Sequence, residues 1–431
     1  MSEFPPFALQ SLWNALGVPS TKTPVDGATF VSYVLPALAC YFVFAVLVVT
    51  PQTQAVRVAL WPVNALLVLR AVFSVNMSHD KSEYKFFDIF FAVSVSVRSS
   101  RRSQTDVGFL QSFMFHGIVR SLSWTLLKEP LVRRLRPGNS PPSTVMDALD
   151  LISTFRGHGW EWSRRLYIPR ETRPANRLAF VFHTCLSVMT HALLCGVFQR
   201  AVLTLVFRGV GAHQGSTFFD DSLPFPVQYL RATIISTLHA LAIYAGMQMV
   251  YDLCTIFGIL FLGQDPVQWP PAFDAPWRAT SLSDFWGRRW HQFSRHLFLL
   301  LGGYPLSLVL GRTGIVIGAF LASGALHHVS LLTLEGRDVG RMYVGFGMMG
   351  VGVLVERAFQ QVTGRRVGGM VGWVWTMTWC LLWGNVMFEG FARAPMNDRS
   401  SLIDGVSPLR GLVEGLVMRF DDWLHARWAT A

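Results

Sequence analysis

Two adjacent histidines, His327 and His328, are the residues of this sequence best placed to do chemistry. They end the segment Phe320-Leu-Ala-Ser-Gly-Ala-Leu-His-His328, whose other residues are apolar or small. An ionisable residue inside a membrane-crossing segment is costly and is a functional candidate by default. A neutral imidazole could take the proton of a substrate hydroxyl as a general base, so that the oxygen attacks a carbonyl. For each histidine alone, a structural role with satisfied hydrogen bonds is equally consistent with the sequence.

A basic and aromatic segment precedes this pair, Ser281-Leu-Ser-Asp-Phe-Trp-Gly-Arg-Arg-Trp-His-Gln-Phe-Ser-Arg-His296. If it is helical, one face carries Asp284, Arg288, His291 and Arg295, and the opposite face carries Trp286, Trp290, Phe293 and Leu297. We therefore predict a continuous amphipathic helix at the membrane surface. Its guanidinium groups could bind the phosphates of an activated acyl donor such as acyl-CoA. Attraction to anionic lipid is the simpler alternative for them.

Metal and serine-nucleophile chemistry fit the sequence less well. The spacing of His291 and His296, followed by a histidine pair, is similar in part to the boxes of membrane di-iron enzymes, whose ligands are mainly imidazoles. However, position 324 is Gly where a complete box would need a histidine, and no third box is present. No G-x-S-x-G motif precedes a histidine either. We expect neither a metal site nor a serine nucleophile.

The composition predicts an integral membrane protein. Of the 431 residues, 51% are hydrophobic and only 15% are charged, whereas soluble domains carry about 25% charged residues. The net charge of +11 could suggest nucleic-acid binding, but the basic residues lie in loops between apolar runs, as they do in cytoplasmic loops. The five cysteines lie in apolar segments and are expected to be core residues. We expect contacts with membrane lipid and none with nucleic acid.

Apolar runs long enough to cross the membrane predict an all-α, polytopic fold with about eight to ten transmembrane helices. The clear candidates are Thr29–Val49, Val56–Val75, Leu178–Phe207, Thr233–Leu262, His296–Leu310, Gly314–Leu332, Met342–Phe359 and Met370–Phe391. Two weaker candidates are Phe86–Val97, which is short, and Val107–Leu127, which is interrupted by His116 and Arg120.

Loop charge orients these helices. The arginine-rich loop at 128–176 is predicted to be cytoplasmic, and the 281–296 segment, two helices later, lies on the same side. Arg365 and Arg366 would then lie on the far side if every later segment crosses, unless one of them is re-entrant. We divide the chain into N-terminal transmembrane helices (1–127), a basic cytoplasmic loop (128–176), a core (177–391) and an amphipathic tail (392–431).

Three motifs resemble one known family. Ser281-Leu-Ser-Asp-Phe-Trp-Gly-Arg-Arg-Trp290 resembles the S-x-x-D-F-W-x-x-R-W signature of wax-synthase-type membrane-bound O-acyltransferases. Phe320-x-x-Ser-Gly-x-x-His327 resembles their F-x-x-S-G-x-x-H motif, and Arg156-Gly-His-Gly-Trp-Glu-Trp162 resembles an element typical of the fungal branch. Glu356, Thr363-Gly-Arg-Arg366 and Trp373-x-Trp375 also look like that branch, so the resemblance covers roughly residues 150 to 390.

The resemblance implies a multi-pass transferase of the endoplasmic reticulum that moves an acyl group from acyl-CoA, with no bound cofactor, to a lipophilic alcohol. It makes His327 the catalytic histidine. His291 stands where the wider superfamily usually has Asn, and we expect it to assist at the acyl carbonyl. Contacts with the acyl-CoA are expected from Arg288, Arg289, Trp290 and Ser323.

Three functions stay open at the level of sequence. The fungal-type motifs favour transfer of acetyl from acetyl-CoA to a hydroxyl of a terpenoid or meroterpenoid secondary metabolite. The alternative within the family is esterification of long-chain alcohols by a wax synthase. A membrane transporter with a histidine proton relay is the non-enzyme alternative, although transporters commonly show internal repeats and none is visible here.

Overall fold

The computed structural model describes residues 17–19, 23–24, 26–76, 116–136, 141–154, 156–163, 166–208, 217–333, 339–393 and 401–428. The chain forms two compact units. Unit 1 comprises Met1–Tyr84, Arg102–Arg165 and Phe293–Leu297, and unit 2 comprises Lys85–Arg101, Leu166–Gln292 and Phe298–Ala431. The predicted all-α class is confirmed: within the described residues, the only sheet pairs two-residue strands in parallel, β1 (Thr23–Pro24) with β2 (Val75–Asn76).

Unit 1 is built on an apolar helix pair. Its helices are α1 (Leu35–Val49), α2 (Gln54–Ser74), a ten-residue helix at 116–125 and α3 (Thr144–Ser153). The short turns Gly27–Thr29 and Phe30–Val34 precede α1, and the 3-10 turn Glu161–Ser163 follows α3. Arg57 of α2 is 1% exposed and donates to the backbone carbonyls of Trp124 and Leu127. Since Trp124 lies in the last turn of the 116–125 helix and Leu127 just beyond it, the arginine satisfies carbonyls that the end of the helix leaves unpaired.

The R-G-x-G-W-x-W element in unit 1 folds as a tight loop. Gly157 and Gly159 have φ of +66° and +84°, a region that favours glycine. A Cβ at Gly157 would collide with the ring of Trp162, and one at Gly159 with Leu135. Trp160 is 2% exposed, and its Nε1 donates to the Asp150 carboxylate at 2.8 Å. The two glycines are therefore required by the close packing of the loop.

Unit 2 contains the longer helices. They are α4 (Arg177–Val206), α5 (Phe225–Leu260), α6 (Tyr304–Thr333), α7 (Val339–Thr363), α8 (Gly369–Ala392) and α9 (Ser407–Trp428). Between α5 and α6 lie the short turns Pro266–Gln268, Pro276–Arg278, Leu282–Asp284, Phe285–Arg289, Arg295–Phe298 and Leu299–Gly303. α4 and α5 pack against each other as a pair of long helices. α5 has 36 residues and is about 54 Å long at 1.5 Å per residue.

A reversal at Gly311 divides α6. Gly311 has φ of 56° and ψ of −137°, and the backbones of Gly302 and Gly318 are in direct contact on the two sides of the turn. The chain therefore forms a helical hairpin, and its two arms correspond to the apolar runs His296–Leu310 and Gly314–Leu332, which we predicted as two separate transmembrane helices. Its first arm, residues 295–310, is about 24 Å long, which is shorter than the roughly 30 Å hydrocarbon core.

The two ends of unit 2 differ in the segments that meet there. At one end, which we call the basic end, the C-terminal part of α7 and the N-terminal part of α8 contact residues 277–283. Trp373 Nε1 donates to the Trp277 carbonyl at 2.8 Å, and Glu356 binds backbone at Leu282 and Ser283. At the other end, the tail end, Glu389 near the end of α8 accepts hydrogen bonds from residues 217 and 218.

This arrangement settles the placement of Arg365 and Arg366. Both lie between α7 and α8, hence at the basic end with residues 277–283. Of the two alternatives that the sequence left open, this placement agrees with a re-entrant segment and not with a far-side position. The first hairpin arm returns to the basic end instead of crossing. We infer this because Val316, just after the turn at Gly311, packs with Leu282 of the basic end. Arg365 and Arg366 then lie at the same end as Arg288 and Arg289, which is the grouping that the loop-charge rule favours.

Six helices in the described part of the chain are long and apolar enough to cross a membrane: Gly27–Val49, Gln54–Ser74, Arg177–Val206, Phe225–Leu260, Arg295–Val329 and Gly340–Thr363. The chain is thus a multi-pass integral membrane protein. The candidate Arg295–Val329 contains the reversal at Gly311. Of the weaker predictions, Phe86–Val97 and the first part of Val107–Leu127 lie outside the described residues.

The C-terminal tail belongs to unit 2 through buried charges at the tail end. Arg231 of α5 is 4% exposed and pairs with Asp421 of α9 at 2.8 Å. Arg200 of α4 pairs with Asp404 at 2.5 Å. Glu389 is fully buried and accepts from Thr217 Oγ1 at 2.6 Å, from the Phe218 N–H at 2.7 Å and from Arg393 at 2.8 Å. The tail is an integral part of the fold.

Replacing Asp421 with Ala should destabilise the protein by about 3–5 kcal/mol, because Arg231 would remain buried without its carboxylate. The matched control is Asp422→Ala. Asp422 pairs with Arg208 at 2.6 Å but its side chain is 61% exposed, so its loss should cost less than about 1 kcal/mol. Thermal unfolding of the purified variants in detergent measures both effects, and equal small losses would contradict a buried pair.

The tail contact should also weaken as the pH rises. His425 Nδ1 donates to the Asp421 carbonyl at 2.7 Å and Nε2 contacts the Asp220 carboxylate at 3.0 Å, and together they raise the pKa of His425. A raised folded-state pKa gives stability that is complete below about pH 6.5 and is lost as the pH passes the raised value. The difference in melting temperature between wild type and His425→Gln should therefore shrink between about pH 6 and pH 9, and a constant difference would refute it.

Candidate active site

His327 is held in one defined tautomer. Its Nδ1 lies 2.8 Å from the backbone carbonyl of Ser323, one turn earlier in α6. Because a carbonyl can only accept, Nδ1 must carry the proton, and in the neutral ring Nε2 is then the unprotonated nitrogen. The ring packs against Phe346 of α7, with 4.4 Å between the centroids. The arrangement leaves a basic nitrogen inside an apolar helix bundle.

The small pair Ser323-Gly324 serves the packing of α6 against α7. Ser323 is 6% exposed. A Cβ at Gly324 would lie 3.1 Å from the Met342 carbonyl and 3.3 Å from the Cα of Tyr343. Glycine thus allows the two helix backbones to approach closely, and that approach carries Phe346 to the face of His327. The space beside Gly324 is therefore filled by a neighbouring helix.

His328 has a different environment. It is 9% exposed, its ring centroid lies 5.8 Å from that of Tyr343, and its Nδ1 has no hydrogen-bond partner in the described part of the protein. Within the described residues, no hydrogen bond fixes the Nδ1 of this imidazole as the Ser323 carbonyl fixes that of His327. Since a general base needs a fixed tautomer and direction, the geometry favours His327 over His328.

The motif segment at 281–296 is not one continuous helix, so that prediction is wrong. A helical turn at Leu282–Asp284 passes into a π-helix at Phe285–Arg289, and Trp290 is extended with ψ of 149°. Helix resumes at Arg295. The break has a local cause: the Gln292 side chain donates to the carbonyls of Trp286 and Trp290, at 2.9 and 2.8 Å, and satisfies acceptors that a helix would have used.

Glu356 of α7 anchors the start of this segment. Its carboxylate is 6% exposed and accepts from the N–H groups of Leu282 and Ser283, from Ser283 Oγ and from Trp375 Nε1, at 2.5, 3.0, 2.8 and 3.1 Å. Sequence reasoning noted Glu356 as a family residue but gave it no role. An acidic residue inside an apolar run was the available signal.

The two predicted phosphate-binding arginines differ in availability. Arg289 donates through Nε to Asp284 at 2.5 Å and through Nη1 to the Asp274 carbonyl at 2.9 Å, so it binds the segment to the preceding loop. Arg288 is exposed, with its guanidinium 5.5 Å above the ring of Tyr167. Of the two, Arg288 has the guanidinium that a water-borne anion can reach.

Aromatic rings connect the residues that were predicted for the site. The Trp290 ring stacks parallel to Phe285 at 5.7 Å, and the His291 ring lies 5.5 Å from Trp290. Trp286 lies 6.2 Å from Trp290 on one side and 6.4 Å from Phe346 on the other. Since Phe346 is also the ring against His327, an unbroken row of rings runs from His291 to the proposed base.

A polar cluster between α4 and α5 was missed from the sequence. Asp252 is 1% exposed and accepts from Ser187 at 2.6 Å and from Gln248 at 2.9 Å. His191 Nδ1 lies 2.8 Å from the backbone carbonyl of Ser187, one helical turn earlier, and the His191 ring contacts the ring of Tyr244. These contacts give His191 a structural role, and an acid within an apolar run was again the signal.

Comparison with known proteins agrees with this geometry. Residues 269–348, which contain both the 281–290 motif and His327, match the profile of the "Membrane bound O-acyl transferase family". The chain is similar to an acetyltransferase, ple2, of Rhodocybe pseudopiperita, with 26% identity over 59% of this chain and 70% of the relative. It is also similar to the O-Mevalon transferase yanI of Aspergillus niger, with 31% identity over 34% of this chain and 33% of that protein.

A plant enzyme is similar over a comparable stretch. The long-chain-alcohol O-fatty-acyltransferase of Simmondsia chinensis is 30% identical over 31% of this chain and 40% of the relative. The matches thus span less than half the length of two of these three relatives. Over these parts of its length, the chain is similar to the membrane-bound O-acyltransferase profile and to the acetyltransferase, the O-Mevalon transferase and the long-chain-alcohol O-fatty-acyltransferase named above.

Proposed function

We propose that this protein is an acyl-CoA-dependent O-acyltransferase of the endoplasmic reticulum membrane. The donor is acetyl-CoA and the acceptor is a hydroxyl of a lipophilic terpenoid or meroterpenoid secondary metabolite. The reaction needs no resident cofactor. The observation that carries the proposal is the orientation of His327, whose Nδ1 is bound to the Ser323 carbonyl so that Nε2 is available as a base.

The proposed reaction begins when His327 Nε2 takes the proton of the acceptor hydroxyl. The oxygen then attacks the thioester carbonyl, and the C–S bond breaks as the new C–O bond forms. The CoA thiolate leaves and takes the proton back from the imidazolium, which restores the neutral base. General-base assistance of this kind contributes about 10²–10⁴-fold to a rate. His291, after Trp290 in the motif segment, is assigned to the acyl carbonyl.

The charge of the basic end supports a phosphate-bearing donor. Arg288 is exposed beside Tyr167, and Arg278, Arg365 and Arg366 are also exposed at this end. CoA carries several negative charges, and guanidinium groups bind phosphate through paired hydrogen bonds. Arg289 contributes indirectly, because its bonds to Asp284 and to the Asp274 carbonyl hold the adjacent Arg288 and Trp290 in place. Trp290 and Ser323 complete the proposed donor contacts.

The second candidate is esterification of long-chain alcohols. It is supported by the similarity to the Simmondsia chinensis enzyme, whose name specifies that acceptor. The two functions differ in donor chain length. Microsomes containing the protein, incubated with labelled acetyl-CoA or palmitoyl-CoA and lipophilic alcohols of the source organism, distinguish them. Organic-soluble label from acetyl-CoA alone supports the proposed function, and label from palmitoyl-CoA alone supports the alternative.

Replacing His327 with Ala should lower kcat/KM by about 10²–10⁴-fold, while the protein still accumulates in the membrane. His328→Ala is the matched control and should retain most of the activity, since that imidazole is not oriented by a carbonyl. Label transfer in microsomes with equal amounts of each variant measures this. Full activity of His327→Ala would refute the assignment, and an equal loss in both variants would remove the distinction between the two histidines.

Replacing Arg288 with Ala should raise KM for acetyl-CoA by about tenfold, because one charge-assisted contact with phosphate is lost. The kcat should change little. Arg278→Ala, which removes an exposed charge from the same end, controls for general electrostatic attraction of the donor. Steady-state kinetics at fixed acceptor measure both variants, and equal KM values for Arg288→Ala and wild type would contradict a role in donor binding.

A further inference from the structure

Arg120 in unit 1 is a buried cation between two indole rings. It is 4% exposed, and its guanidinium carbon lies 5.3 Å from the ring centre of Trp124 and 5.8 Å from that of Trp162. Trp162 is the last residue of the R-G-x-G-W-x-W element, to which the proposed reaction assigns no role. The glycines of that loop allow Trp162 to pack close to the backbone and to cover the guanidinium.

No carboxylate neutralises this arginine in the described part of the chain. Its Nη2 is buried and has no hydrogen-bond partner there. Other buried arginines of unit 1 have acceptors in the protein: Arg133 pairs with Asp150 at 2.7 Å, and Arg57 donates through both Nη atoms to backbone carbonyls, although its Nε has no partner in the described part. Burying a charge without a partner costs free energy, and proteins compensate for it with an opposite charge or a ligand.

The groups around Arg120 are hydrogen-bond donors or cations. His116 is 9% exposed and, like His296, lies within range of the Arg120 charge. The ring of His296 lies 5.0 Å from that of Trp162, and the Tyr41 hydroxyl interacts with the guanidinium. We call these five residues, Arg120, His116, His296, Trp162 and Tyr41, the Arg120 cluster. A guanidinium, two imidazoles and a phenol offer N–H and O–H donors suited to phosphate oxygens.

We propose that the Arg120 cluster binds a phosphate group, and that this anion is the missing counter-charge of Arg120. The planar guanidinium donates two parallel hydrogen bonds to phosphate oxygens, and the flanking indoles exclude water and strengthen the interaction. Two sources share this chemistry, the phosphates of a CoA donor and the headgroup of an anionic phospholipid. The proposal stands on the geometry of unit 1 and does not require the transfer reaction.

Binding can be measured on the purified full chain without any activity assay. Wild type in nanodiscs is titrated with inorganic pyrophosphate and with CoA, and is also compared in neutral and phosphatidate-containing nanodiscs. A ligand that binds only the folded state raises the melting temperature. We expect at least one of the three anions to stabilise wild type, and Arg120→Gln to weaken that binding at least tenfold. Arg120→Lys, which keeps the charge, should retain part of it.

The stability of the unliganded variant separates a binding residue from a structural one. Without ligand, Arg120→Gln should be as stable as wild type or more stable, because it removes an unpaired buried charge. The control is Arg57→Gln, which removes satisfied hydrogen bonds; it should lower the melting temperature and leave the anion affinity unchanged. A large loss of stability in Arg120→Gln, with unchanged anion affinity in a folded Arg120→Lys, would overturn the proposal.

The three anions assign the source of the phosphate. Stabilisation by CoA and pyrophosphate but not by phosphatidate assigns the cluster to the donor, whereas stabilisation by phosphatidate alone assigns it to lipid. Equal affinity of wild type and Arg120→Gln for all three anions would refute the site. If the transfer reaction failed while Arg120-dependent binding persisted, only the proposed function would be lost.

Discussion

The candidate site depends on the hydrogen bonds that the buried carboxylate of Glu356 accepts. In the C-terminal part of α7 it accepts hydrogen bonds from two backbone N–H groups, a hydroxyl and an indole N–H. These four donors belong to the motif segment and to α8, so one buried charge connects three elements. Because charge-assisted hydrogen bonds are strong where water is excluded, the carboxylate fixes where the π-turn begins. The positions of Arg288, Trp290 and His291 depend on where this π-helix (Phe285–Arg289) begins.

The sequence was most informative where one residue type has one physical meaning. Apolar runs gave the helices of α1, α2, α4 and α5, and the gap between His296–Leu310 and Gly314–Leu332 marked the hairpin turn. The helical motif segment failed because amphipathic spacing cannot reveal that Gln292 takes two carbonyls from the helix. The hydrogen-bonded clusters around Glu356 and Asp252 could not be predicted for another reason. Their partners come from distant parts of the chain, and such pairing depends on how whole helices pack.

The spacing of the sequence motif predicted His327 as the base, whereas the physical reason for preferring it comes from the packing of α6 against α7. A histidine four residues after Ser323 can reach that carbonyl on any helix, so this contact could be read from sequence. The choice between His327 and His328 could not, since it depends on which face meets α7 and Phe346. The charge rule behaved similarly. It left Arg365 and Arg366 open between a far-side position and a re-entrant segment, and the reversal at Gly311 was needed to choose between them.

The contact between Gly302 and Gly318 has a consequence for how this protein is made. The hairpin's first arm leaves the ribosome before its partner and, at about 24 Å, is too short to settle across the bilayer by itself. It gains its packing surface only after the turn at Gly311 and the next two helical turns have been synthesised. The arms must therefore enter the membrane together, as a closed unit with no loop to translocate. Membrane insertion of this region is thus coupled to the folding of the helix that carries His327.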